Sequence, residues 1–137
     1  DTMVPMPNHT LIEEKSLTQL VKDEKITKNR LESIIDRTRK GGAEIVKFLE
    51  KGSAFYAPAA SGVEMAESYL NDLKKTLPCA AYLNGEYNTK GLYAGVPVII
   101  GSGGVEKVLE LELDKDEKKN FENSINNIMY AIIMFFN

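Results

Sequence analysis

The sequence is short of the residues that staple a fold together. One cysteine, Cys79, cannot close an internal disulfide, and one histidine, His9, leaves no Cys/His cluster to hold zinc. Disulfide-knit extracellular scaffolds and zinc modules are thereby excluded, and no metal site is expected. Excess charge of one sign is missing too. Seventeen Lys and Arg against twenty Asp and Glu leave a formal −3, which argues against a nucleic acid or an anionic membrane as partner. The longest apolar run, Ile128 to Phe136, is about half of what a bilayer-spanning helix needs. Asp1 to His9 lacks the basic and apolar regions of a signal peptide. A reducing cytoplasm is the expected location. Internal repeats and low-complexity segments are absent as well.

What is present reads as one ordinary domain, residues 1–137. The apolar fraction is 43% and the charged fraction 27%, values typical of soluble domains, and a chain of this length buries roughly two-thirds of its unfolded surface. Asp1 to Pro7, with prolines at 5 and 7, predicts extended chain or a short edge strand. Leu17, Leu20 and Val21 mark one face of a short helix ending in the charged run Lys22 to Lys25. Thr27 is placed to cap a longer helix whose apolar residues Leu31, Ile34, Ile35, Ile45, Val46 and Leu49 keep helical spacing across Gly41-Gly42. The glycine pair predicts a kink or a close backbone approach, and Gly52 a stop.

Pro58 suits the first turn of a third helix, with Gly62, Met65, Ala66, Tyr69, Leu70 and Leu73 on one face and an end near Lys75. After Pro78 the period changes to two. Strands are predicted over Cys79 to Leu83, Val96 to Ile100 and Val105 to Leu113, with Asn84-Gly85 as a tight turn. Asp114 is placed to cap a last helix striped by Phe121, Ile125, Ile128, Ile132 and Phe135, with Asp116 and Glu117 in its first turn. Helices, then an antiparallel meander of about three strands, then a helix make an α+β layout.

Chemistry is sparse. Gly101-Ser102-Gly103-Gly104 invites a phosphate-loop reading, but a dinucleotide fingerprint has glycine at its sixth position and opens a helix, whereas Glu106 stands there and a strand follows. A hairpin turn is the expectation. His9 lies in a polar loop and reads as a surface histidine. Cys79 opens an apolar strand with nothing nearby to lower its pKa, so a buried, inert thiol is expected. Glu64 and Glu67 lie three apart on a helix without a histidine to complete a metal site. Glu13-Glu14, Asp23-Glu24 and Asp114 to Glu117 read as solvated faces and caps, and Arg30, Arg37, Arg39 and Lys40 as the polar side of a helix. The helix ending at Ile128 to Phe136 is apolar nearly all round and needs burial by the domain, by another chain or by aggregation. A partner or a second copy is favoured over a membrane, because no basic residue follows Lys119. No self-contained active site can be assembled from these residues.

Four stretches carry a family resemblance: Asp1-Thr2-Met3-Val4-Pro5; Gly52 to Ser61 (GSAFYAPAAS); Leu77 to Tyr87 (LPCAAYLNGEY); and Gly95 to Gly101 (GVPVIIG) with Gly104-Val105-Glu106-Lys107. Together they resemble the C-terminal, substrate-binding half of NAD-dependent malate dehydrogenases of the subgroup built like lactate dehydrogenase. The resemblance runs from Asp1 to about Ile128. It implies an α+β domain that follows an N-terminal Rossmann domain absent here, reversible oxidation of (S)-malate to oxaloacetate with NAD in the tricarboxylic acid cycle, and a homo-oligomer. Asp1 matches the Asp of the family's His-Gly-Asp, so the catalytic base, its Asp partner, the substrate-clamping arginines and the cofactor loop would all precede Asp1. The resemblance therefore implies a fragment inactive alone, with no catalytic residue of its own.

By the same resemblance Ser53 and Ala54 form a wall of the substrate pocket, and Pro58 lies near the nicotinamide. Lactate dehydrogenases carry threonine at the position of Ala54, and a small residue leaves room for the second carboxylate of oxaloacetate. Two departures from the family pattern stand out, the loop Asn8 to Lys15 and the apolar tail 129–137. The alternatives are a non-catalytic truncated product that associates with other dehydrogenase subunits, and half of a lactate dehydrogenase.

Overall fold

The computed structural model describes residues 3–136. The chain divides into two compact units, residues 1–53 with 113–137 and residues 54–112.

The first unit is helical. Residues 3–6 are irregular, followed by a turn. Of the extended chain or short edge strand expected over Asp1 to Pro7, no strand forms among the described residues, and Asp1 and Thr2 lie outside them. A small hairpin not foreseen from the sequence comes next, β1 (Leu11–Ile12) against β2 (Lys15–Ser16), turned by Glu13 and Glu14 at φ of 48° and 68°. Ser16 caps α1 (Leu17–Lys22) by accepting from the Gln19 N–H at 3.1 Å, and Thr27 caps α2 (Lys28–Leu49) by accepting from the Arg30 N–H at 3.2 Å.

Helix α2 runs unbroken through Gly41-Gly42, where a Cβ would meet nothing within 4 Å. The expected kink or close approach is not found among the described residues. Glu50 ends the helix at φ 57°, two residues before Gly52 at φ 94°.

Helix α4 (Lys115–Phe136) starts as predicted, through a reciprocal capping box. Asp114 Oδ1 accepts from the Asp116 and Glu117 N–H groups at 2.9 Å each, and Glu117 Oε2 accepts from the Asp114 N–H at 3.1 Å. Among the described residues of this unit the buried apolar ones are Leu17, Leu31, Phe121 and Ile125, while Ile132 is 43% and Phe135 88% exposed. The predicted stripe of α4 is thus covered at its start and bare at its end.

The second unit is helix α3 (Tyr56–Leu70) on a three-stranded antiparallel sheet in the order β3 (Lys75–Asn84), β4 (Lys90–Gly101), β5 (Gly104–Val108). The α+β expectation holds, but the boundaries move. Helix α3 stops at Leu70 rather than near Lys75, because Asp72 and Lys74 turn left-handed, at φ of 49° and 52°. Strand β3 begins at Lys75 and includes Pro78, which faces Pro97 across the ladder. The Asn84-Gly85 connection is not a two-residue turn: Gly85 at φ 136° leads into a 3₁₀ turn, Glu86–Asn88.

Strand β5 ends at Val108 although the alternation continues to Leu113. The Leu109 N–H still reaches the Pro97 carbonyl at 2.8 Å, but proline has no N–H to return. Tyr87 takes over there, its hydroxyl donating to the Leu109 carbonyl at 2.6 Å and accepting from the Leu111 N–H at 3.0 Å.

The inner face of the sheet, Ala81, Leu83, Leu92, Ala94, Val96, Val98 and Ile100, is buried. Helix α3 is joined to it by fully buried Ser68, whose hydroxyl donates to the Ile100 carbonyl at 2.6 Å and accepts from the Lys75 N–H at 3.1 Å. On the apolar face read from the sequence, Met65, Tyr69, Leu70 and Leu73 are exposed.

Candidate functional site

Ser53, Ala54 and Pro58 lie together on the connection from α2 to α3. Residues 53–55 are irregular; Ser53 and Pro58 are exposed and Ala54 half-buried. Pro58 is the third residue of α3, where its missing N–H leaves no helical bond unmade. The first such bond follows at once, from the Ala59 N–H to the Phe55 carbonyl at 2.9 Å. Phe55 and Tyr56 pack ring on ring with centroids 4.6 Å apart, yet stay 58% and 78% exposed. The connection therefore presents a small half-buried methyl group, a serine, a fixed proline ring and two aromatic faces. It can form a wall against a ligand; it carries the hydroxyls of Ser53 and Tyr56 but no carboxylate, imidazole, amine or thiol. The adjacent Phe55-Tyr56 pair stands in the sequence within the stretch Gly52 to Ser61, but no spacing or periodicity there marks it as part of a site.

The other residues singled out are structural. His9 is drawn toward a carboxylate 108 positions away, with Nε2 4.0 Å from Glu117 Oε2. The same buried Glu117 accepts from Asn8 Nδ2 at 2.9 Å, and Asn8 also reaches Asp114 Oδ2 at 3.0 Å. No local signal could have disclosed that network.

Cys79 is half-buried with Sγ 3.4 Å from Met65 Sδ, and burial pushes its thiol pKa up, away from the reactive thiolate. Glu64 and Glu67 share Lys75 Nζ, each at 3.6 Å, instead of a cation. Among the described residues no group of three His, Cys, Asp or Glu side chains could hold a metal ion. No helix among them is long and apolar enough to cross a membrane.

The glycine run 101–104 is a hairpin turn, as expected, and it is already occupied. Asp72 Oδ1 accepts from the Ser102 N–H at 2.8 Å, and Glu106 Oε1 lies 3.5 Å from the Gly103 nitrogen. A Cβ on Gly101 would collide with Glu106 Oε1 and come within 2.7 Å of Asp72 Oδ1. Two carboxylates thus stand where a phosphate would have to lie, so the turn does not fit the pyrophosphate of a dinucleotide. The described residues offer a cofactor no more than the wall at 54–58, and no hydride-transfer step is derived through one.

Several carboxylates are held below their ordinary values by hydrogen bonds to their charged form. Asp72 is lowered chiefly by the Ser102 N–H and Asp114 by the Glu117 N–H. Asp23 is lowered by Lys15, Glu44 by Arg37, and Glu86 by the Asn84 N–H. A depressed folded pKa adds stability that is complete above the unfolded value and is lost as pH falls through the folded one. Urea midpoints should therefore be flat from about pH 8 to about pH 5 and fall below about pH 4. Asp72→Asn should shallow that acid limb; a decline already between about pH 7 and 6 would contradict the assignment.

The profile of the lactate/malate dehydrogenase alpha/beta C-terminal domain matches residues 1–135. The chain belongs to that family. It is 63% identical over 128 residues to a malate dehydrogenase of Pelagibacter ubique, a match covering 93% of this chain and 40% of the relative. Among solved structures it is similar to Cryptosporidium parvum malate dehydrogenase, with a TM-score of 0.89 at 45% identity over 94% of this chain and 41% of that one. It is also similar to the lactate dehydrogenase of that organism complexed with lactic acid and nicotinamide adenine dinucleotide, with a TM-score of 0.89 at 40% identity over 94% of this chain and 41% of that one. The chain thus spans about 40% of the length of the malate dehydrogenase it matches, as a C-terminal part. Asp1, the position the resemblance pairs with the family's His-Gly-Asp, lies outside the described residues.

Proposed function

We propose that this domain serves an NAD-dependent malate dehydrogenase of the cytoplasm, which interconverts (S)-malate and oxaloacetate in the tricarboxylic acid cycle. In that reading Ser53 and Ala54 wall the substrate pocket, and Pro58 stands beside the nicotinamide. The observation that carries it is the half-buried Ala54 at the start of α3, in a chain 63% identical to a malate dehydrogenase. A methyl group there spares the space that a second carboxylate needs, where a threonine would fill it. The exposed apolar residues of α3, Val63, Tyr69 and Leu70, and of α2, Phe48 and Leu49, support association with further dehydrogenase chains in a homo-oligomer.

The test compares two polypeptides. The 137-residue chain alone should form no NADH from malate and NAD, since its one histidine is engaged near Glu117. The same chain preceded by a family Rossmann half should turn over malate. In that longer protein, Ala54→Thr should shift the oxaloacetate-to-pyruvate ratio of kcat/KM toward pyruvate by about tenfold or more. Turnover by the short chain, or an unmoved ratio, overturns the assignment.

The same exposed faces favour a second reading, in which the chain is a non-catalytic product that binds other dehydrogenase subunits. Mixed oligomers on size exclusion support it, and their absence at high concentration removes it.

A further inference from the structure

We propose that the concavity between α2, the Met3-Val4 segment and α4 binds a small hydroxylated carboxylate. It has a volume of about 360 Å³, within the range of small-molecule sites, and neither Ser53, Ala54 nor Pro58 lines it. Among the described residues that line it, Arg39 is the one charged side chain and none is a carboxylate.

The neighbouring cations of α2 are already engaged. Arg37 grips Glu44 with both ends of its fork, at 3.0 and 3.1 Å, and Lys40 pairs with Asp36 at 2.9 Å. Arg39 makes no ion pair with any described residue. Its planar fork is left open toward the cavity, in the geometry that takes a carboxylate through two parallel N–H···O bonds.

The opposite wall comes from α4. Asn120, Asn123, Ser124 and Asn127 line it, and their spacing of i, i+3, i+4 and i+7 puts all four on one helix face. Phe121 and Ile125 are buried on another. The side chains of these four polar residues make no hydrogen bond to another described residue. Amides and a hydroxyl both donate and accept. A bare oxyanion would use only their donors, whereas a hydroxyl group uses both. Cation on one wall and mixed donors and acceptors on the other therefore select a carboxylate that also carries hydroxyls. The proposal stands apart from the dehydrogenase reading, because binding is read directly and not through turnover.

The three arginines, 30, 37 and 39, give three guanidinium Nε–H resonances, which can be followed while the 137-residue chain is titrated with L-tartrate, malonate or inorganic phosphate. Tartrate should move the Arg39 resonance saturably, and malonate, lacking hydroxyls, should bind several-fold more weakly. Arg39→Gln and, separately, Asn123→Asp should each weaken tartrate at least tenfold, with circular dichroism unchanged, while Arg37→Gln leaves it in place. All three resonances drifting together without saturation would mean that Arg39 is an ordinary solvated cation. Phosphate binding more tightly than tartrate would overturn the hydroxycarboxylate assignment.

Discussion

A Leu83→Ala chain should lose about 3 kcal/mol of stability, the usual cost of emptying a fully enclosed leucine site. Leu83 is 0% exposed on the inner face of β3, one residue from Tyr82, which is 51% exposed on the outer face. Period-two geometry assigns these neighbours to opposite sides of the sheet. Tyr82 packs edge-on against Tyr93 across the strand pair, with ring centroids 5.5 Å apart, a contact worth about 1 kcal/mol. Tyr82→Ala should therefore cost about a third as much as Leu83→Ala. The chain has no tryptophan and six tyrosines, so urea unfolding is read from tyrosine emission, with Leu83→Ala compared directly with wild type. Equal losses at the two positions would contradict the register.

Ser68→Ala should cost about 2 kcal/mol, far more than a surface serine. Its hydroxyl serves two backbone groups at once, the Ile100 carbonyl near the end of β4 and the Lys75 N–H that opens β3. Alanine leaves both without that partner in a place water does not reach. Ser61 on the same helix is the control: it is exposed, and its hydroxyl only returns to the Ala57 carbonyl of its own helix. Ser61→Ala should stay within about 0.5 kcal/mol of wild type. Amide exchange at Lys75 should quicken in Ser68→Ala and not in Ser61→Ala. Unchanged exchange there would show that the helix is held to the sheet by other contacts.

Features governed by neighbours in sequence were legible before the structure. Thr27, Asp114 and Pro58 act within a few residues of themselves, and each stands where helix chemistry places it. The pleat of β3 to β5 was readable from the side chains. Boundaries set by distant partners were not. Helix α3 ends early as Asp72 turns to bond Ser102, thirty residues on, and β5 ends early because Pro97 on the facing strand cannot donate.

The candidate site divides the same way. Ser53, Ala54 and Pro58 came from family resemblance, and the structure places them on one exposed connection. The open fork of Arg39 could not have been read from sequence. Its distinction from Arg37 depends on Glu44 choosing one arginine and not the other.

The two units also differ in when, during synthesis, their parts exist. Residues 54–112 are continuous, and the strand pairs within them join segments close in sequence. The helical unit draws on both ends of the chain: Asn8 bonds Glu117 across 109 positions, and Phe121 and Ile125 complete the buried set begun by Leu17 and Leu31. A ribosome making this polypeptide therefore releases the sheet while α1 and α2 still wait for α4. Through that interval Leu17 and Leu31 lack the last helix, and a nascent chain stalled near residue 112 should be the one that chaperones hold most firmly.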